Sequence, residues 1–451
     1  MGAVWRCRCI TDAQSPPVKS SASPQTQPRR LLGDILLVAR GTVFGQLPFV
    51  LLTPLIARLY PTSELGIYGL ALAFVSVAAQ IVGLRFELAA ISAREPDDAR
   101  ALFLLSGLSI LPLTCACTLV LAALKIFHIG SYQVLSWWLV AATGATVAAA
   151  GSYSTLRCWL ARRHRFAMVA SSLTVQGCLR AGLAIALALL GKTAPMLVLS
   201  ELLGRLGAIG MMLYHSGILG ALRASRIPVA ALRERAARFW KYPVLLTPSA
   251  LIDAAATALP VPVLASCYGL EGAGKFVLVQ RLMVLPAALI AGSVGDVFHV
   301  HATDVLRQRP AAVSSFLAKT ARRLLIFALV VYVPVAVVGP LAARWWFGRA
   351  WADAGPMMAA LAPLCIAQTV VSPISRGLLF SGREERKLLA DLACLILPIT
   401  TLYLASSGSM LFAIGCFSAA SVLAFIIYYV VVVKSLSSGV PPSGPAAAVT
   451  L

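Results

Sequence analysis

The sequence predicts an all-α integral membrane protein, with about twelve transmembrane helices forming two pseudo-symmetric six-helix bundles around a central cavity. Three observations predict it. Of the 451 residues, 59% are apolar and only 12% charged, against roughly a quarter charged in a soluble domain. The charges gather in clusters, and the stretches between them are about 20 residues long, enough to cross a hydrocarbon core of about 30 Å. Finally, the segment P-L-I-A-R-L-Y at 54–60 returns as P-V-L-A-S-C-Y at 262–268.

A spanning segment must satisfy its own backbone polar groups, so these spans are helices; the alternating pattern of a membrane barrel is missing. In chain order, residues 1–30 are Ser/Pro/Gln-rich and read as a disordered tail. They hold no apolar core of signal-peptide length, so the first span serves as the insertion signal. Spans at 34–59, 66–93, 100–126, 132–156, 166–191 and 194–217 make an N-terminal bundle over 31–217. Residues 218–240 form a cytoplasmic linker in which Val229, Leu232, Ala236 and Phe239 share one helical face, with Arg233, Arg235 and Arg238 largely off it. That is either an interfacial helix on an anionic inner leaflet or a solvated basic linker. Spans at 241–267, 275–299, 321–347, 355–380, 387–406 and 409–434 make a C-terminal bundle over 241–434, followed by a flexible tail at 435–451.

The Lys/Arg distribution sets the orientation. With a cytoplasmic N-terminus, 26 of the 38 Lys/Arg fall on the cytoplasmic side. Six lie outside: Arg58, Lys125, Lys192, Lys275, Arg344 and Arg349. This asymmetry follows the positive-inside rule and places both termini in the cytoplasm. The net charge of +21 therefore belongs to helix ends and not to a nucleic-acid surface, since no basic, aromatic-rich soluble domain carries it. Cys115, Cys117, Cys178, Cys365, Cys394 and Cys416 sit in apolar runs as small hydrophobes, and no C-x-x-C pair exists, so no metal site is expected.

The echo at an offset of 208 pairs Pro54, Ala57, Tyr60 and Gly66 with Pro262, Ala265, Tyr268 and Gly274. Six helices per half is an even number, so the repeat is parallel, with its pseudo-twofold axis along the membrane normal.

Several stretches together carry a family likeness. These are G-T-V-F-G-Q-L-P-F-V-L-L-T-P-L-I-A-R-L-Y-P-T-S-E-L-G-I-Y-G at 41–69, G-L-R-F-E-L-A at 83–89 and F-W-K-Y-P-V-L-L-T-P-S-A-L-I-D at 239–253. They continue with A-G-K-F-V-L-V-Q-R-L-M-V-L-P at 273–286, W-F-G-R-A-W-A-D-A-G at 346–355 and a span through Pro363, Pro373 and Arg376. In order and spacing the chain resembles the bacterial oligosaccharide flippases (of lipopolysaccharide, O-antigen and exopolysaccharide synthesis) of the multidrug/oligosaccharidyl-lipid/polysaccharide exporter superfamily. The resemblance covers about residues 31–434. It implies transport of an undecaprenyl-pyrophosphate-linked oligosaccharide across the bacterial inner membrane, driven by a gradient of H⁺ or Na⁺ and without a cofactor. It also implies lipid-linked oligosaccharide, membrane lipids and other polysaccharide-assembly proteins as partners.

Charged residues inside the spans are where such chemistry would sit. An arginine at a helix centre costs about 2.5–3.5 kcal/mol on insertion scales, so it faces a cavity or a partner. Six qualify: Arg40, Arg85, Arg180, Arg205, Arg281 and Arg376. Guanidinium matches phosphate oxygens in a bidentate fork, so Arg180, Arg40, Arg85, Arg281 and Arg376 are the substrate-binding candidates. Each has a plainer reading. Arg40, Arg85 and Arg376 lie near cytoplasmic helix ends and can snorkel, as can Arg281 in the outer half. Arg205 follows Glu201 by four residues, the favourable order for a helical ion pair. Arg180 sits mid-span with no acid nearby in sequence. Among the acids, Asp253, Asp296 and Glu87 are the ion-coupling candidates. Asp253 falls mid-span between Pro248 and Pro260, where unwound carbonyls beside a carboxylate could hold Na⁺, unless it simply pairs with an arginine.

An ATP-driven pump is disfavoured, because Gly191-Lys192-Thr193 lacks the earlier glycine of a phosphate loop: position 186 is Ala. An enzyme acting on lipid-linked sugars is disfavoured by short outer loops, whose acids are Glu64, Glu271 and Asp353. A drug or ion exporter of the same superfamily is the nearest rival.

Overall fold

The computed structural model describes residues 41, 44–48, 51–93, 95–216, 228–308, 313–375 and 384–437, with backbone alone at 216, 285, 288–308, 313, 384 and 437. The tail read at 1–30, residues 218–227 of the linker and the part of the second tail beyond Ser437 lie outside the described residues. The helices run α1 (51–59), α2 (Thr62–Ala78), α3 (Phe86–Ser92), α4 (Pro96–Ile126), α5 (Trp137–Arg162), α6 (Phe166–Ala188) and α7 (Ala194–Ser216). A short α8 (Val229–Arg238) leads to α9 (Thr247–Ala258), α10 (Pro260–Gln308), α11 (Val313–Phe347), α12 (Ala354–Ser375), α13 (Glu384–Leu404) and α14 (Met410–Ser437). No strand occurs among the described residues.

Eight helical stretches among these residues are long and apolar enough to cross a membrane. One of them, Tyr242–Val284, breaks at Gly269 (φ 76°) and supplies two crossings. α1, α2 and α5 fall where the sequence places three further spans, so the described helices match the twelve-span reading. α5 is less apolar for a physical reason: it packs against α2, α3, α4 and α7 and is lined with small residues. A Cβ on Gly144 would lie 2.3 Å from Thr118 Oγ1, and one on Gly151 would lie 2.6 Å from Val82 Cγ2. Small side chains let membrane helices approach this closely. Local signals start the helices where expected: Pro96 opens α4 with Asp97 and Asp98 in its first turn, and Ser136 Oγ caps α5 by accepting from Leu139 N at 3.2 Å.

The two bundles meet along α2 and α10. A Cβ on Gly66 would fall 2.1 Å from Leu270 O, and one on Gly274 would fall 1.9 Å from Thr62 O. Thr62 and Leu270, like Gly66 and Gly274, are 208 residues apart, so one contact is made twice about a pseudo-twofold axis. Further bonds join the bundles at this end. Arg58 Nη2 donates to Trp345 O (3.1 Å) and Trp346 O (3.0 Å), and Trp351 Nε1 donates to Ala57 O (2.9 Å). Ser131 Oγ lies 3.2 Å from Ser266 Oγ. The repeated tyrosines do equivalent work within each bundle: Tyr60 donates to Ala184 O (2.7 Å) and Tyr268 to Gly408 O (3.1 Å).

The buried apolar residues show the same asymmetry between ends. At the seam a single core takes in both bundles, with Ile56, Leu70, Leu139, Leu264, Phe276 and Trp351 among its members. Away from it the core divides. One cluster, around Phe86, Phe103 and Trp159, belongs to the N-terminal bundle, and another, around Leu317, Ile374 and Val432, to the C-terminal bundle.

Three features differ from the sequence reading. The span read at 66–93 is broken into α2 and α3, with Leu84 (φ 49°) and Arg85 (φ 57°) in the left-handed region. Such a conformation costs roughly 1–2 kcal/mol per residue, so packing must hold it. Gly83 precedes the turn, and a Cβ there would crowd Glu87 Oε2 (2.6 Å) and Ser106 Oγ (3.1 Å). The helix read at 275–299 continues to Gln308. The linker is tied to the N-terminal bundle by an acid that the sequence did not single out. Asp98 pairs with Arg235 (2.8 Å) and Arg238 (3.2 Å), and Ala236 and Phe239 pack on the Phe86–Trp159 cluster.

The seam generates a test that compares like substitutions. Gly66→Ala forces α2 and α10 apart and should destabilise the protein by about 1–3 kcal/mol, as overpacking does. Gly107→Ala, whose Cβ meets nothing within 4 Å, should leave the thermal unfolding midpoint unchanged or raise it.

Candidate functional site

Between the bundles, next to the seam, lies a cavity of about 380 Å³ whose lining includes Gln80, Arg85, Arg180, Glu201, Arg205 and Arg281. Four arginines and one acid, Glu201, therefore line it, and three of the four approach that acid. Glu201 on α7 is 2% exposed. One turn on, Arg205 grips its Oε1 with Nε at 3.2 Å and Nη2 at 3.0 Å. This leaves Oε2 pointing at three groups from three other helices. Tyr68 of α2 donates to it at 3.4 Å, Arg180 Nη1 of α6 lies at 3.7 Å and Arg281 Nη2 of α10 at 3.8 Å. Arg281 also donates to Tyr68 Oη at 3.0 Å, and Arg180 to Gln46 Oε1 at 3.3 Å. Arg281 belongs to the C-terminal bundle and the other members to the N-terminal one, so this ion cluster crosses the interface.

Arg85 enters the cavity from the α2–α3 break. It donates to Gln80 Oε1 and lies 4.0 Å from Glu87 Oε1. Its Nε is buried with no hydrogen-bond partner among the described residues. Glu87 is buried behind it, with Ser106 Oγ donating to it at 3.4 Å. Even counting Glu87, positive charge exceeds negative by two in this region. In a low-dielectric interior that surplus draws an anion strongly.

A second polar cluster lies inside the C-terminal bundle, where α9, α13 and α14 meet. Asp391 is 5% exposed and accepts from Ser249 Oγ (2.9 Å) and Tyr428 Oη (2.9 Å), with Lys387 Nζ bonded to both Asp391 and Ser249. Asp253 stands one turn beyond Ser249 on α9. It is exposed, and no ion pair within 4.0 Å is formed among the described residues. The backbone there is regular helix. The distortion is a π turn at Tyr242–Leu246, earlier in the chain, so no unwound carbonyls flank Asp253.

Of the predicted binding residues, the structure brings Arg85, Arg180 and Arg281 to one cavity. Arg40 and Arg376 lie outside the described residues, as does the side chain of Asp296. Arg180 does have an acid: Glu201, hidden from sequence because it sits on the neighbouring helix. Arg281 does not snorkel; it turns inward to Glu201 and Tyr68. Arg205 pairs with Glu201 as its spacing predicts, and it also lines the cavity. Asp391 and Lys387 were missed, although their i,i+4 spacing was a legible signal.

The solved structures most informative for this arrangement show its fold. A multidrug MATE-family transporter of the MOP superfamily in an inward-facing conformation has a TM-score of 0.59 at 15% identity, covering 89% of this chain and 93% of that one. The lipid II flippase MurJ in an inward closed conformation has a TM-score of 0.63 at 13% identity, covering 91% and 87%. A MOP-superfamily transporter from Pyrococcus furiosus, described as having a binding pocket of reverse polarity, has a TM-score of 0.59 at 14% identity, covering 89% and 94%. No curated protein matches the sequence. A family described as "Polysaccharide biosynthesis protein" matches residues 55–356, two-thirds of the chain. With the fold of MOP-superfamily transporters and a family match of that extent, the chain belongs to the polysaccharide biosynthesis protein family.

Proposed function

We propose that the protein is a flippase that carries an undecaprenyl-pyrophosphate-linked oligosaccharide across the bacterial inner membrane by alternating access, with both termini cytoplasmic. One observation carries the reading: four arginines line the cavity between the bundles, and positive charge exceeds negative there by two even with Glu201 and Glu87 both counted. A diphosphate diester brings two negative charges and oxygens suited to bidentate guanidinium contacts. The polyprenyl tail stays in the bilayer while the head group crosses between the lobes. Among the described residues the core shared by the bundles lies at the end assigned to the outside, which fits the inward-facing half of such a cycle. Export of a cationic drug, the rival use of this fold, requires a cavity of the opposite sign.

Removing one phosphate-holding group should show in transport before it shows in folding. Arg180→Ala leaves Glu201 with Arg205 and Arg281. The loss of a charge-assisted contact of about 1.5–3 kcal/mol should weaken cargo binding roughly 10- to 100-fold. Arg180→Lys keeps the charge without the fork and should recover part of the activity. Flipping of a lipid diphosphate glycan in proteoliposomes, at equal protein content, is the measurement. Unchanged flipping by Arg180→Ala removes the residue from the site.

We further propose Asp253 as the acid that couples transport to a gradient of H⁺ or Na⁺, ahead of Asp296 and Glu87. Support comes from its place in the span, one turn from the Ser249–Lys387–Asp391 cluster, where a bare carboxylate is costly until a cation or proton joins it. Asp253→Asn should bind cargo and fail to transport it into inverted vesicles. Transport at the normal rate that still responds to collapse of both gradients assigns coupling elsewhere.

A further inference from the structure

A carrier that delivers cargo in one direction must also return empty, and the cluster around Glu201 bears on that half of the cycle. Arg281 approaches from the C-terminal bundle toward Arg180 and Arg205 of the N-terminal bundle. Without an anion between them, like charges would face each other across the interface where the lobes must close. Glu201 Oε2 lies in that gap, 3.7 Å from Arg180 and 3.8 Å from Arg281. These separations are long. Charge-assisted hydrogen bonds between guanidinium and carboxylate close to about 2.7–2.9 Å, so Glu201 holds these two arginines at longer range than it holds Arg205. Its other oxygen is gripped by Arg205, which fixes the carboxylate on the N-terminal bundle whatever the second lobe does. Tyr68 relays the arrangement, donating to Glu201 and accepting from Arg281.

We infer that Glu201 is the counter-ion of the empty carrier: it occupies, among Arg180, Arg205 and Arg281, the place that the anionic head group takes during transport, and so allows the lobes to reorient without cargo. This rests on the flippase reading given above. A phosphoryl group entering from the cavity offers the shorter, bidentate contacts that Glu201 does not make, and draws Arg180 and Arg281 to itself. When cargo leaves, the tethered carboxylate restores the balance before repulsion can hold the lobes apart.

The role separates two transport modes that a simple loss of folding would reduce together. Net flipping, with cargo in one leaflet only, requires the empty return. Exchange, with cargo in both leaflets and label in one, does not. In proteoliposomes holding a fluorescent lipid diphosphate glycan, Glu201→Ala should slow net flipping about tenfold or more while slowing exchange less than about threefold. Sodium formate fits the space vacated by the side chain and should restore net flipping, whereas gluconate at equal ionic strength should not. Glu201→Gln keeps the side chain's size and an oxygen for Arg205 to grip while removing the charge. It should show the same split between modes at wild-type abundance, which covers poor folding of the alanine variant. Equal loss in both modes by Glu201→Gln, or full net flipping by Glu201→Ala without formate, overturns the role of Glu201 and leaves the flippase reading standing. A wild-type protein that flips this lipid in neither mode overturns both.

Discussion

The carboxylate of Glu201 is the interaction on which the arrangement depends. Hydrocarbon does not tolerate several bare guanidinium groups, and the chain gathers four of them within its membrane-spanning bundles, Arg85 at the α2–α3 break and Arg180, Arg205 and Arg281 within helices. One buried acid, shared among three of these arginines, makes that possible within a folded protein. An ion pair at 4 Å is worth about 4 kcal/mol at an effective dielectric constant near 20, so no single pair offsets the full cost of burying so many charges. The remainder is met by the cavity, which lets water or an anion reach the surplus charge. A polar cavity is thus demanded by the charge pattern before any cargo is considered, and its sign then selects what enters.

Geometry at the seam decides how the cavity can be used. Two glycines related by the repeat let α2 and α10 touch backbone to backbone, and a continuous apolar core closes that end around them. Away from it, among the described residues, each bundle has its own core. The bonds between the bundles include Arg58 to α11, Trp351 to α1, Ser131 to Ser266, Ser92 to Tyr242 and the Glu201 cluster. On the flippase reading, rocking about such a seam would move each bundle as a packed unit.

Much of this was legible in the sequence, and what was not shares a cause. Spans, the repeat and the Arg205–Glu201 pair depend on residues close together or on periodic patterns, so they can be read along the chain. The Gly66 echo marked the contact between halves, because close backbone approach admits only glycine, while the Tyr60 echo marked a bond made within each half. Contacts between helices were hidden: nothing in the sequence joins Arg180 to Glu201, or Asp98 to Arg235. The break at Leu84–Arg85 was hidden as well, because its left-handed residues are not glycines and only tertiary packing holds them there. Asp391 was overlooked for a different reason. Its partner Lys387 begins the helix, where a lysine ordinarily reads as an interfacial anchor.

If the protein is a flippase, the seam must open for cargo to cross, and a cross-link tests this most directly. Ser131 Oγ and Ser266 Oγ stand 3.2 Å apart across the bundles, close enough for a disulfide between cysteines at these positions. In a background without other cysteines, oxidised Ser131→Cys/Ser266→Cys should bind the lipid diphosphate glycan and fail to flip it, and reduction should restore flipping. Undiminished flipping by the cross-linked protein would contradict the account.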